Sequence, residues 1–121
     1  LELCGLDPVT GYFRDGFTTT DESDYGSHTV CAVVSAEFLE HQKSVGNDLS
    51  TPAPQFGFAG LKPGDRWAVC APRWQQALED GAACGVVLAA TNEAALEYIN
   101  SEDLIAHSVD VPPDLSELTE I

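Results

Sequence analysis

The sequence predicts an α+β fold: a two-layer sandwich in which a small mixed sheet carries helices packed on one face. Three observations lead there. The run from Thr29 to Val34 is β-branched and apolar on both faces, as expected of a strand buried in the middle of a sheet, and Arg66 to Ala71 reads as a second strand. Each leads into a helix signal, Ser35 as an N-cap after the first and Pro72 in a first turn after the second. The strand and helix alternations are too few for a doubly wound parallel sheet.

Taken in order, residues 1–28 are punctuated by Asp7-Pro8, Thr10-Gly11, Asp15-Gly16 and Tyr25-Gly26, leaving Tyr12 to Arg14 as a short strand in a wrapped segment. A helix follows from Ala36 to about Val45, with Phe38, Leu39, Gln42 and Val45 inward, and stops at Gly46. The nineteen residues 47–65 have no regular period; Phe56, Phe58 and Leu61 predict a loop packed onto the core. Lys62-Pro63-Gly64-Asp65 fits a type II turn, in which Pro fixes φ at the second position and Gly supplies positive φ at the third. The second strand points Trp67, Val69 and Ala71 one way. In the next helix Trp74, Ala77 and Leu78 share a face, and Gly81 ends it. Val86 to Ala90 reads as a third strand, Thr91 as the cap of a helix burying Ala95, Leu96 and Ile99, and Ser101 to Ala106 as a last short helix. Residues 1–109 thus form one domain and 110–121 an acidic tail.

Composition narrows the function classes. The chain has 121 residues, 20 acidic against 5 Lys and Arg, and a formal charge of −15. Nucleic acid and anionic membrane are therefore not expected partners, since phosphate recognition needs a basic stripe. A hydrophobic content of 44% argues for a folded core despite this charge. The abundance of carboxylates fits a salt-adapted surface, soluble where screening limits self-repulsion. No apolar run is long enough to span a bilayer.

Cys4, Cys31, Cys70 and Cys84 contain no C-x-x-C pair, so neither a zinc ribbon nor a thioredoxin-like motif is signalled, and no metal or other cofactor is expected. Paired disulfides allow three connectivities. With no basic leader followed by an apolar segment, reduced thiols and a cytoplasmic location are the default expectations.

Several strings together resemble one family. Gly26-Ser27-His28-Thr29-Val30-Cys31-Ala32, Glu37-Phe38-Leu39, Gly46-Asn47-Asp48-Leu49-Ser50-Thr51-Pro52 and Gly60-Leu61-Lys62-Pro63-Gly64-Asp65-Arg66-Trp67 are similar in content and order to the domain of unknown function 2237 family of bacteria and plants. The likeness covers roughly residues 4–109 and includes Arg14-Asp15-Gly16 and Ala71-Pro72-Arg73-Trp74-Gln75. It implies a small α+β fold and carries no established activity, substrate or cofactor. Phe17 and Ala68 stand where other members often have Cys, and Asn92 where His is common, which weakens metal or redox schemes built on those positions.

Among candidate site residues, arginine is the most informative type in so acidic a chain. Arg73 lies in the first turn of its helix, where the dipole disfavours a cation and where free N–H groups suit an anion. The leading expectation is a small anionic or polar ligand between the 47–65 loop and the start of the Arg73 helix, contacted by Arg73, Arg66, Asn47, Asp48 and Thr51. The plainer expectation is that each Arg pairs with a nearby acid, while Asn47, Asp48, Ser50 and Thr51 serve loop turns. A second class is a non-catalytic accessory module that binds a protein through exposed aromatics or through Leu115 and Leu118. A third is a thiol enzyme with Cys31 as nucleophile and His28 as base, from the spacing H-x-x-C; on an extended strand the two would face opposite sides. Catalytic residues and oligomeric state are not specified by the sequence.

Overall fold

The protein is represented by a computed structural model that describes residues 1–6, 9–56 and 58–110. The Asp7-Pro8 turn, the Phe56 side chain and the tail from residue 111, with Leu115 and Leu118, lie outside the described residues.

The sheet has three strands, β1 (His28–Val33), β2 (Arg66–Cys70) and β3 (Gly85–Val86), in the order β2-β1-β3. Both pairings are antiparallel, and a parallel contact appears as an isolated bridge between Val86 and Ser108. The helices are α1 (Ala36–Ser44), α2 (Ala71–Glu79) and α3 (Ser101–Ala106). The fold is α+β.

Local chemistry sets the boundaries. Ser35 Oγ accepts from the Phe38 N–H at 3.1 Å and starts α1; the chain leaves that helix through Gly46 at φ 87°. Pro72 sits in the first turn of α2, where its missing N–H costs nothing. The Lys62 to Asp65 turn closes through an Asp65 N–H donating to Lys62 O at 3.0 Å, with Gly64 at φ 96°.

One face of the sheet presents Val30, Ala32, Trp67 and Val69 to Phe38 and Leu39 of α1, Trp74 and Ala77 of α2, and Leu104 of α3. Trp74 is fully buried and its indole N–H donates to Cys84 O at 3.2 Å, which satisfies its polar edge. The long loop is packed as expected: Leu61 is buried, Leu49 and Phe58 pack on this core, and the Leu61 N–H donates to Leu49 O at 2.8 Å.

Three elements differ from expectation. Tyr12 and Phe13 form a turn, with the Arg14 N–H donating to Gly11 O at 3.0 Å and Arg14 at φ 55°, a left-handed conformation no strand contains. The third strand ends at Val86. Beyond it the Val87 N–H still donates to Cys31 O at 2.8 Å, but the Asp110 carboxylate takes the Leu88 and Ala89 N–H groups and Thr91 Oγ1 takes that of Cys31, so side chains end the backbone ladder. Leu88–Ala90 and Glu93–Glu97 are 3-10 turns instead of a strand end and an α-helix.

The opposite face of the sheet is covered by the N-terminal segment. Cys4, Cys31, Val87 and Ala90 form a second small core there, and Cys4 is disulfide-bonded to Cys31 across 27 positions. The expectation of reduced thiols is corrected for this pair: the wrapped segment lays Cys4 directly on the face to which Cys31 points. Threonines tie down the rest of the segment. Thr18 Oγ1 donates to Ala90 O at 2.6 Å, and Thr10 Oγ1 accepts from the Ala68 N–H at 2.7 Å.

A loop of that length adds roughly 3–4 kcal/mol by restricting the unfolded chain. The variant carrying Cys4→Ser and Cys31→Ser is therefore expected to lose about that much stability in guanidinium unfolding. A loss below about 1 kcal/mol would show that the threonine anchors, not the disulfide, hold the segment.

Candidate functional site

The register of β1 against β2 is irregular where the sheet reaches α2. Cys31 pairs with Ala68 and Val30 with Val69, yet His28, not Thr29, pairs with Cys70. Thr29 is thus an extra residue in β1, a bulge. An extra residue reverses which side of the sheet the preceding side chain takes. Ser27 stands beside it at φ 50°, and its carbonyl accepts from the Thr29 N–H at 2.8 Å and from the Ala71 N–H at 2.9 Å. Strained backbone of this kind persists only where its surroundings hold it.

The consequence is a line of three polar side chains. Cys70 Sγ lies 3.3 Å from His28 Nε2, and His28 Nδ1 lies 2.6 Å from Asp24 Oδ1. The Asp24 side chain is fully buried. Its other oxygen accepts from the His28 backbone N–H at 2.9 Å and from Thr20 Oγ1 at 3.0 Å, so the carboxylate is fixed on both sides. Tyr12 stacks on the imidazole at 5.7 Å between ring centres, and its hydroxyl donates to Ser23 O at 3.0 Å.

Protonation follows from these contacts. The His28 imidazole is pushed up to about 9, first by its hydrogen bond to the Cys70 sulfur; burial opposes this, and the Asp24 hydrogen bond and charge add to it. Burial alone would raise Asp24, but the hydrogen bonds from His28 and Thr20 and the nearby imidazole charge hold its carboxyl below the usual range. With both ring nitrogens protonated, Nδ1 donates to Asp24 and Nε2 to the sulfur. Cys70 also occupies the N-cap position of the nine-residue α2 and makes no capping bond of its own. Helix N-termini and adjacent imidazolium groups are the settings in which cysteine acts as a nucleophile.

The other free cysteine among the described residues is different in kind. Cys84 is buried in the core on the helix side of the sheet, and burial pushes its thiol up to about 12.

The structure corrects the pairing of His28 with Cys31. Cys31 is fully buried and bonded to Cys4, and the bulge hands His28 to Cys70 instead. The signal for Cys70 was present in the sequence, as a cysteine at a strand end one residue before an Ala-Pro helix start. The bulge that joins it to His28 had no such signal.

The five residues expected to bind a ligand lie as follows. Arg73 reaches the mouth of the long loop, with Nη1 donating to Val45 O and Gln76 Oε1, each at 3.4 Å. The Asn47 amide donates to the buried Gln42 at 2.7 Å. Asp48 closes a local turn by accepting from the backbone and hydroxyls of Ser50 and Thr51, which hold its carboxyl well below the usual range. Arg66 is exposed at the start of β2, about 13 Å of strand away from the end that leads to Arg73. Arg73 thus bonds Val45, at the end of the helix that leads to Asn47 and Asp48, while Asp48 and Thr51 bond within their own turn and Arg66 stands at the far end of β2. Nor do the arginines pair with acids: among the described residues no arginine nitrogen comes within 4.0 Å of a carboxylate oxygen, and the salt bridges present belong to His28 and His41. Arg14 lies 5.1 Å over the Trp67 ring and donates to Gly11 O.

Among the described residues no group of three His, Cys, Asp or Glu side chains is arranged to hold a metal ion, and no helix is long and apolar enough to cross a membrane. A shallow hollow of about 230 Å³ between the Leu88 to Glu97 turns and α3, bordered by Leu88, Leu96, Leu104 and Ile105, shares no residue with the Cys70 cluster.

Fold and site together define a small α+β domain bearing a cysteine, a histidine and a buried aspartate in hydrogen-bonded series. The chain belongs to the domain of unknown function 2237 family: the family model described as "Uncharacterized protein conserved in bacteria" matches residues 1–108. No curated protein matches the sequence.

Proposed function

We propose that this domain performs thiol chemistry, with Cys70 as the nucleophile, His28 as the group that takes and returns its proton, and Asp24 as the positioning residue that fixes the imidazole. The supporting observation is the continuous series from Cys70 Sγ through His28 to the buried Asp24, at 3.3 and 2.6 Å. A nucleophile, a base and an orienting acid within hydrogen-bond reach form the arrangement that activates a side chain for covalent catalysis. The distances suit proton transfer between sulfur and nitrogen without rearrangement of the backbone. Cys70 is partly exposed, so a reagent reaches it.

Alkylation by iodoacetamide at pH 7.5 tests this reading. Cys70 should react at least tenfold faster than Cys84, and His28→Ala should slow Cys70 by roughly an order of magnitude, with a smaller loss for Asp24→Asn. A Cys70 rate that is the same in the wild type and in His28→Ala removes the proposal.

One observation favours a second reading, a small anionic or polar ligand at the start of α2: the Arg73 guanidinium has no carboxylate partner among the described residues. On this reading phosphate raises the Tm and Arg73→Ala abolishes the rise, whereas an equal rise in both proteins rejects it.

A further inference from the structure

Gly26 packs against the thiol and its base. A Cβ at this position would stand 2.9 Å from Cys70 Sγ and 3.1 Å from His28 Cε1, so a side chain here would push the thiol and the imidazole out of place. Gly26 has no positive φ, in contrast to six other glycines among the described residues, so conformation does not demand glycine here. Close approach to the sulfur and the imidazole does.

The contact adjoins a donor with no acceptor among the described residues. The neighbouring turn bonds are an Asp24 N–H donating to Asp21 O and a Ser27 N–H donating to Asp24 O; the Gly26 N–H has no acceptor among the described residues. Standard geometry puts a backbone nitrogen about 2.5 Å from its own Cβ, which sets the Gly26 nitrogen no farther than about 5.4 Å from the sulfur. A carbonyl carbon bonded to Sγ carries its oxygen into that range.

The site also lacks a thiol partner for dithiol chemistry. Cys84 belongs to the core on the other side of the sheet, and Cys4 and Cys31 are bonded to each other and buried. A lone nucleophilic sulfur, a base and an unpaired N–H fit the stabilisation of an oxyanion.

Resting on the thiol reading, we infer that Cys70 catalyses acyl transfer, with the Gly26 N–H as oxyanion donor and uncharged esters as the substrate class. The Cys70 sulfur, its proton held on His28 Nε2, forms a bond to the carbonyl carbon, and the π pair moves onto the oxygen facing Gly26. The tetrahedral species then collapses. The bond to the alkoxy oxygen breaks, and that oxygen takes the proton from His28 Nε2, leaving a thioester on Cys70. Water gives a proton to Nε2 and attacks the thioester carbon; the carbon–sulfur bond breaks, and the acid is released. The sum is ester plus water to acid plus alcohol, with no oxidant or reductant. Uncharged acyl donors follow from the net charge of −15 and from the exposed Tyr12, Phe13 and Tyr25 on the loop that leads to Gly26.

The test uses p-nitrophenyl acetate and mass spectrometry of the full chain. An acetyl group on Cys70 is expected, formed at a rate that falls at least tenfold in His28→Ala. A second protein carries glycolic acid in place of Gly26, made from a synthetic 1–30 segment joined at Cys31; its backbone ester oxygen replaces the one N–H in question. Acetylation should drop about a hundredfold there, while alkylation by iodoacetamide, which forms no oxyanion, stays within about twofold and reports an intact site. Equal acetylation with and without the Gly26 N–H overturns the inference. So does absence of the acetyl adduct while alkylation remains fast and dependent on His28, an outcome that leaves the thiol reading standing. Alkylation that ignores His28 defeats both.

Discussion

The candidate chemistry depends on one irregularity of strand pairing, the extra residue at Thr29 in β1. In a regular antiparallel register Thr29 would oppose Cys70, and His28 would be carried past the end of β2. The bulge sets the imidazole opposite the sulfur, and the Ser27 carbonyl, accepting from both Thr29 and Ala71, clamps the displaced backbone to the first residue of α2. The same few residues therefore end the sheet, start the helix and hold the thiol against its base. Bulges commonly re-aim side chains next to functional sites.

The rest of the N-terminal segment supports this junction. Residues 5–27 contain no strand or helix among those described, yet they supply Asp24, Thr20, Tyr12 and Gly26. All four residues lie within the loop closed by the Cys4 and Cys31 disulfide, as does His28, whereas Cys70 lies outside it. The covalent closure and the buried threonines give a segment poor in regular structure the rigidity a hydrogen-bonded series requires. The two faces of the sheet divide the work: hydrophobic packing against helices on one side, and a stapled loop bearing polar groups on the other.

Much of the fold was legible because it follows local rules. Ser35 and Pro72 mark helix starts, the Val30 to Val34 and Trp67 to Val69 runs mark strands, and Lys62-Pro63-Gly64-Asp65 encodes its own turn. Where side chains substitute for backbone partners the reading failed: Asp110 and Thr91 cut β3 short, and a left-handed Arg14 converts an expected strand into a turn. The site was half legible. His28 stood out, and so did a base-and-thiol scheme, but counting along one strand selects Cys31. Only pairing between strands 42 positions apart selects Cys70, and neither the bulge nor the Cys4 to Cys31 bond has a one-dimensional signature. Arginine scarcity drew attention to Arg66 and Arg73, which the sheet then separates.

The His28 imidazole is shared between a sulfur and a buried carboxylate. Nitrogen-15 chemical shifts of that ring, followed from pH 5 to 10, test it most directly. The account predicts two protonated ring nitrogens at neutral pH and a titration midpoint near 9, falling toward the ordinary 6.5 in Cys70→Ala. A midpoint near 6.5 in both proteins would contradict it.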